Sequence, residues 1–366
     1  MSRAGRGDII LPRRLPPAIH ALDLKPPLFI HIGTHKTGST AIQRALPVGG
    51  AAALKEGLVR LDHHGDISRA NWTDSDAEAL ASGFRRQMLE RPARYLLTCE
   101  GFCGDPYQGY AGAPLIASRL RAATLDFDVS IVIFLRRQDD FIESIYTQLI
   151  HQGGSLSFDA FLRSLPPGGL DWHRLLETYA AEFGRERLIV RRYHHDFYPK
   201  PESLLEDFCS ILGVSPASLE KKKASATPNQ GYSREAQEIA LLCNAHLDAD
   251  DRKALRSLLQ KISPKPVFQN YSYLDLPARQ RLLETFAAGN AAVLRDYFGG
   301  GTGGALFPPP EAAPDTDPPS DVVPLTVILV KMLLDLHQTQ RGSRLVRLAA
   351  SLDKALRRMR GHSTSR

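Results

Sequence analysis

Residues 128–135, Asp-Val-Ser-Ile-Val-Ile-Phe-Leu, form an almost wholly apolar run. A strand with one wet face alternates polar and apolar side chains. A run without that alternation reads as a strand buried on both faces, the habit of parallel sheets covered by helices. The run stops at Arg136-Arg137, and helical spacing takes over: Phe141, Ile145 and Leu149 stand at i, i+4 and i+8, behind Asp139-Asp140 in the first turn. Shorter strands are predicted at Arg94–Thr98 and Arg187–Tyr193. Helices are predicted over Trp72–Glu90, Pro114–Ala123, Phe158–Ser164, Asp171–Phe183, Pro201–Gly213 and Glu235–His246, with a further helical piece ending near Phe298. The pattern is that of an α/β fold.

A second stretch carries the chemistry. Leu28–Ile32 is a short apolar run, interrupted at Gly33. Thr34-His35-Lys36-Thr37 follows, and Gly38-Ser39-Thr40 opens a helix-like run from Ala41 to Leu46. Strand, glycine-bearing loop and helix is the geometry of a phosphate-binding loop, in which backbone N–H groups form an anion nest. The loop departs from the nucleoside-triphosphatase pattern G-x-x-x-x-G-K-[ST]. Gly33 and Gly38 have the right spacing, but Ser39 occupies the lysine position and the lysine lies inside the loop, at Lys36. A lysine there approaches the bridging oxygen of a leaving phosphate. Ser39 and Thr40 add hydroxyl donors.

Two further positions point to the same place. Glu100 follows the strand at Arg94–Thr98, just before Gly101. Open α/β sheets bind ligands outside the carboxyl ends of their strands, and a loop acid that caps the next structure is the alternative reading of Glu100. Arg136 ends the apolar strand and Ser144 lies eight residues later on the following helix. A guanidinium fork and a hydroxyl together suit a phosphate monoester. Arg137 reads instead as a surface arginine paired with Asp139 or Asp140.

Pro26-Pro27 closes a basic tail, residues 1–27, that lacks the apolar core of a secretory signal. The folded domain is expected over 28–300, a Pro/Gly-rich linker over 301–320, and a basic amphipathic helical extension over 321–366 that can lie on an anionic membrane surface or pack on protein. The most apolar stretch, Val322–Leu334, is too short to span a bilayer and contains Pro324 and Lys331. The chain has 366 residues, 43% hydrophobic and 23% charged, enough for a sizeable core. Its net charge of +6 draws on both ends, and no basic–aromatic interleaving suggests nucleic acid. Cys99, Cys103, Cys209 and Cys243 are scattered and lack zinc spacing, which fits a reducing compartment and no metal site. The expected setting is the cytoplasm of a bacterium-like cell, with the inner membrane face as a peripheral site.

The stretches FIHIGTHKTGSTAIQ and IVIFLRRQDDFIESIYTQ together resemble the sulfotransferase superfamily that uses 3′-phosphoadenosine 5′-phosphosulfate (PAPS). They look most like its bacterial branch, whose chains also carry an acid after the third strand and a helix with an Asp-Phe pair, here Asp207-Phe208. The resemblance covers about Leu28 to Phe298. It implies a three-layer, P-loop NTPase-like fold with a central parallel sheet. Lys36, Thr37, Gly38, Ser39 and Thr40 resemble the family's 5′-phosphosulfate loop. Arg136 and Ser144 match its 3′-phosphate clamp, and no metal is implied.

The implied reaction is in-line sulfuryl transfer to an alcohol, with Lys36 stabilising charge on the bridging oxygen. Relatives use a histidine or a glutamate as base. Glu100 is the first candidate, His35 the rival, and His63 and His64 are weaker. The chain lacks the Arg-Lys-Gly segment of the cytosolic small-molecule enzymes, which by analogy favours a glycan or glycolipid acceptor over a phenol or steroid. Acceptor contacts are expected from 57–72, 102–110 and 151–167. Two other readings stand beside this one. A P-loop small-molecule kinase is disfavoured by the misplaced lysine and by the lack of an obvious acidic metal ligand after a strand. A degenerate nucleotide-binding scaffold is disfavoured by intact Lys36, Arg136 and Ser144.

Overall fold

The alternation of side chains along each strand decides how this chain is layered. The computed structural model describes residues 25–63, 67–89, 92–219, 231–264, 272–300 and 304–311, with residues 328, 329, 332, 333, 336 and 339. In chain order the elements are β1 (Pro27–His31), α1 (Ser39–Ala45), α2 (Ala51–Lys55), β2 (Leu58–Arg60), α3 (Asp74–Gln87), β3 (Arg94–Thr98), α4 (Ala113–Ala123), β4 (Asp128–Arg136), α5 (Gln138–His151), α6 (Phe158–Ser164), α7 (Trp172–Phe183), β5 (Leu188–Tyr193), α8 (Pro201–Leu212), α9 (Arg234–Asn244), α10 (Ala249–Ile262), α11 (Leu276–Glu284) and α12 (Ala287–Tyr297). The five strands form one parallel sheet in the order β2-β3-β1-β4-β5. This is the α/β fold with a central parallel sheet flanked by helices.

β1 lies in the middle, registered against β3 through Ile30↔Leu97 and against β4 through Ile30↔Ile131. Leu28, Ile30 and Ile32 join Val129, Ile131, Ile133 and Leu135 in a core completed by Leu120 of α4 and Trp172 and Leu176 of α7. On the other face Val132 and Phe134 meet Ile42 of α1 and Leu204, Phe208 and Leu212 of α8. Two buried faces explain why β4 reads as continuous apolar sequence. Helix starts follow local capping chemistry: Thr73 and Asp76 form a capping box on α3, and Ser157, Asp171 and Ser233 cap α6, α7 and α9 through their side chains.

Several expectations shift by a residue or two, and four elements, α2, β2, α10 and α11, were not anticipated in kind. β2 is only three residues long, too short for a pattern to emerge. α10 carries Leu255, Leu258, Leu259 and Ile262 at i, i+3, i+4 and i+7 behind the Asp248 cap, a helical signal that the reading above passes over, while α11 is short and its apolar positions are few. The Asp207-Phe208 pair of α8 is structural: Asp207 binds Arg191 Nε at 3.0 Å and the Tyr198 hydroxyl at 2.7 Å, while Phe208 is buried. Part of the stretch read as a linker is anchored, since Leu306 and Phe307 are buried in the main core. Residues 1–24 of the tail, 301–303 and 312–320 of the linker, and most of the extension 321–366 lie outside the described residues.

His31 ends β1 inside the second core layer. Its ring is fully buried against Phe134 and Phe208, and Nδ1 lies 2.8 Å from Thr98 Oγ1. Burial lowers its pKa to about 3. The folded state therefore refuses a proton that the unfolded chain takes up below its ordinary value of about 6.5. This group costs nothing above that pH, and stability declines as pH falls from there toward 3, by up to about 1.4 kcal/mol per pH unit. Urea midpoints at pH 7.5, 6 and 4.5 check this: the acid decline should be shallower in His31→Asn than in the parent protein.

Candidate functional site

The carboxyl ends of β1, β3, β4 and β5 open into one cleft of about 670 Å³, lined by Lys36, Gly38, Ser39, Thr40, Glu100, Arg136, Ser144 and Tyr193 among others. Positions 36, 100, 136 and 144 are far apart in sequence. They meet because each leaves the same edge of the sheet, β1 between β3 and β4.

The loop after β1 is held from below. Thr34 Oγ1 donates to the Phe134 carbonyl of β4 at 2.7 Å, and Thr37 Oγ1 donates to the Thr34 carbonyl at 2.6 Å. Both threonines are fully buried. The Thr37 side chain thus fastens the loop rather than lining the cleft. Gly38 starts α1 at φ 85°, and a Cβ there would lie 2.4 Å from Leu204 Cδ2. Only glycine meets both demands. Lys36 also has positive φ, 65°. A residue with a Cβ gives up roughly 1 kcal/mol or more in this region, a cost that persists where surrounding structure imposes it.

Lys36 is accessible from the cleft but walled by it. Desolvation lowers its pKa, Arg136 and Arg256 push the same way, and Glu100 opposes them. Arg136 donates to the Lys36 carbonyl at 3.2 Å, so strand end and loop are tied directly. Its own carbonyl accepts from Trp172 Nε1 at 2.8 Å. α1 has only seven residues, so the cleft's attraction for anions comes chiefly from Lys36, Arg44, Arg136 and Arg256.

Glu100 follows β3 and accepts a hydrogen bond from Ser39 Oγ at 2.5 Å. Ser39 is buried and its hydroxyl proton is engaged. It couples the loop to the carboxylate rather than standing free as an anion ligand. This contact sets the acid that follows β3 directly beside the Ser39 hydroxyl. Glu100 is accordingly part of the cleft, not merely a cap. His35 faces elsewhere. Its Nδ1 lies 3.3 Å from the Tyr110 hydroxyl, and it does not line the cleft. Burial lowers its pKa, with Glu100 and Asp105 opposing and Lys36 assisting, so the ring is neutral near pH 7. His63 packs on Phe102 outside the cleft, and His64 lies outside the described residues. Of the stretches expected to meet an acceptor, only His151 and Gln152 line this cleft.

Arg137 departs from its expected surface role. It is buried and pairs with both Asp139, at 2.7 Å, and Asp140, at 3.2 Å, while donating to the carbonyls of Pro308 and Pro309. Arg279 of α11 completes the cluster: it binds Asp139 at 2.7 Å and Glu143 at 2.5 Å. Burial raises the Asp139 pKa, but Arg137 and Arg279 outweigh it and the net shift is downward. For Glu143 burial prevails and the pKa rises, although Arg279 and the Tyr273 and Leu274 N–H groups oppose it. The cluster locks the first turns of α5, the helix that presents Ser144. Sequence reasoning missed Arg279, Arg256, Thr34 and Tyr110. Thr34 lies in the loop motif with no role evident from sequence, whereas Arg279, Arg256 and Tyr110 sit in neither motif and come near the site only on folding.

No family model matches the chain. A protein of Archaeoglobus fulgidus, described as uncharacterized, is 25% identical over 169 residues, covering 46% of this chain and 46% of its own. The chain thus spans about half the length of that curated relative. Three solved structures align at low TM-score. A sulfotransferase from Alicyclobacillus acidocaldarius gives 18% identity over 62% of this chain and 98% of its own, with TM-score 0.36. The sulfotransferase domain from the curacin biosynthetic pathway gives 15% identity over 71% and 96%, with TM-score 0.33. The sulfotransferase domain of the Synechococcus PCC 7002 olefin synthase gives 18% identity over 72% and 96%, with TM-score 0.33.

Removing Arg279 leaves Glu143 buried without its cation and Asp139 with Arg137 alone. Arg279→Met should cost on the order of 3–5 kcal/mol in urea denaturation at pH 7, the usual cost of breaking a buried pair. The deficit should shrink toward pH 4 as the orphaned Glu143 carboxylate protonates.

Proposed function

We propose that this protein is a sulfotransferase that moves a sulfuryl group from PAPS to an alcohol. The observation that carries the reading is Lys36, held at positive φ in the loop after β1, in one cleft with Arg136, Ser144 and Glu100. The donor bears charge at two ends, a 5′-phosphosulfate and a 3′-phosphate, and the cleft offers cations from two different elements. In this reading the loop backbone from Lys36 to Thr40, with the Thr40 hydroxyl, takes the 5′ end. Arg136 and Ser144 take the 3′-phosphate.

The acceptor oxygen forms a bond to sulfur as the bond from sulfur to the bridging phosphate oxygen breaks. The electron pair leaves with adenosine 3′,5′-bisphosphate, and the Lys36 ammonium stabilises the growing charge. The acceptor proton passes to Glu100, whose Oε1 is already fixed by Ser39. His35 remains the rival base because it is neutral, but its bond to Tyr110 directs it away from the cleft. Thr147, Gln148, His151 and Gln152 line the same cleft with hydrogen-bonding groups. That lining favours a hydroxyl-rich acceptor such as a glycan or glycolipid headgroup. All four cysteines carry free thiols, which supports a reducing, cytoplasmic setting.

One observation favours a second reading. Glu100 beside the Ser39 hydroxyl resembles the acid-plus-hydroxyl pairing that holds Mg²⁺ in P-loop kinases. A thermal-unfolding titration separates the two. Adenosine 3′,5′-bisphosphate at a hundred times its Kd should stabilise by about 2.7 kcal/mol. The response should vanish in Arg136→Ala. A response to ATP–Mg²⁺ alone would support the kinase instead.

For the base, Glu100→Gln keeps an acceptor for Ser39, so bisphosphate binding should persist. Sulfuryl transfer measured from labelled PAPS should fall by about 10²–10⁴-fold. Unchanged turnover in Glu100→Gln would pass the role to His35.

A further inference from the structure

The donor brings two anionic ends to the cleft, and Lys36 and Arg136 answer them. One cation that this leaves over is Arg256 of α10. The carboxylates lining the cleft are already engaged: Glu100 by Ser39, Asp140 by Arg137 and Arg279, and Glu143 by Arg279. Among the described residues, none of these acids pairs with Arg256. Arg256 is half-buried, on a helix fixed at both ends. One turn before it, Arg252 Nε donates to the Leu247 carbonyl at 2.8 Å, and a Cβ on Gly153 would lie 2.7 Å from Arg252 Cδ. Beyond it, Leu259 is fully buried and the Ser263 carbonyl accepts from Ser233 N–H at 2.8 Å. The Tyr232 ring lies on His151 of α5, with centroids 4.2 Å apart, and Arg256 is near enough to oppose the rise that burial imposes on the Tyr232 pKa. Arg256 thus stands by the C-terminal end of α5, where His151 and Gln152 line the cleft. That end is about 10–12 Å of helix rise beyond Ser144.

We infer that Arg256 binds an oxyanion carried by the acceptor, so that the alcohol sulfated here is an acidic one, bearing a carboxylate or a phosphate ester. The inference rests on the sulfuryl-transfer reading and narrows it to a substrate class. Charge chooses the occupant. Each anionic end of the donor has its cation on an element other than α10, in the loop after β1 and at the end of β4. A guanidinium presents two parallel N–H donors that match a carboxylate or a phosphate. An acidic acceptor entering beside the anionic donor is repelled by it, and a third cation in the same cleft offsets that repulsion. A neutral acceptor would engage the polar side chains of α5 and leave Arg256 idle.

The test is calorimetric titration of the full chain, first with adenosine 3′,5′-bisphosphate and then, with that ligand saturating, with methyl glucuronoside, glucose 6-phosphate and methyl glucoside. One of the two anionic sugars should bind about tenfold or more tightly than the neutral glucoside, and which one does so identifies the oxyanion. Arg256→Gln should reduce that sugar to the level of the glucoside, and Arg256→Lys, which keeps the charge, should restore part of the preference. The bisphosphate Kd of Arg256→Gln should stay within about twofold of the parent's, which also shows that the variant is folded. Equal binding of the three sugars, or an anionic preference that survives Arg256→Gln, would overturn the inference and leave the donor reading standing. A bisphosphate Kd weakened about tenfold in Arg256→Gln would also overturn it, and would hand Arg256 to the donor. A parent protein that takes no bisphosphate would sink the sulfuryl-transfer reading, and this inference with it.

Discussion

Burial of β1 on both faces is the constraint from which the rest of this structure follows. Leu28, Ile30 and Ile32 fill one helical layer's contact surface and His31 projects into the other, so neither face of the strand leaves room for a polar function. The backbone hydrogen bonds run to β3 and β4 on either side. Chemistry can only begin where the strand ends. In a parallel sheet every strand delivers its next residues to the same edge, and Lys36, Glu100, Arg136 and Tyr193 accumulate there for that reason.

The site is stiffened by bonds that its side chains make within the protein. Thr34 and Thr37 bind carbonyls under the loop, Ser39 binds Glu100, and Arg136 reaches the Lys36 carbonyl. Such contacts hold Lys36 in a backbone conformation it would not choose alone. The electrostatics have a matching division. In the cleft, Lys36 faces two arginines, and burial together with those arginines lowers its pKa against the pull of Glu100. Below α5, the carboxylates of Asp139 and Glu143 are matched by Arg137 and Arg279, so that cluster is close to balanced without a ligand. One group of charges favours binding, and the other holds the helix that carries Ser144.

The fold was legible where side-chain period and burial coincide. The unbroken apolar run of β4 announced a two-sided core, and the i, i+4, i+8 stripe of α5 announced the helix after it. β2 was not legible, because three residues carry no period. α11 was not, because it is short and mostly polar, whereas α10 was legible in the stripe of Leu255, Leu258, Leu259 and Ile262 and was passed over. Arg137 was misjudged for a related reason: a charged residue beside two acids looks solvated until Arg279, more than 130 positions away, closes around the same carboxylates.

By itself the sequence determined the layer type, the glycine-bearing loop with its displaced lysine, and the residue types at the strand ends. These are local matters, set by period, turn chemistry and the identity of single positions. Tertiary structure alone decided that Ser39 is bonded to Glu100, that His35 turns to Tyr110, and that Arg256 and Arg279 approach the site from distant helices. The direction of a side chain and the charges around it depend on which elements pack beside it. That packing is a property of the whole chain, and no window of sequence contains it.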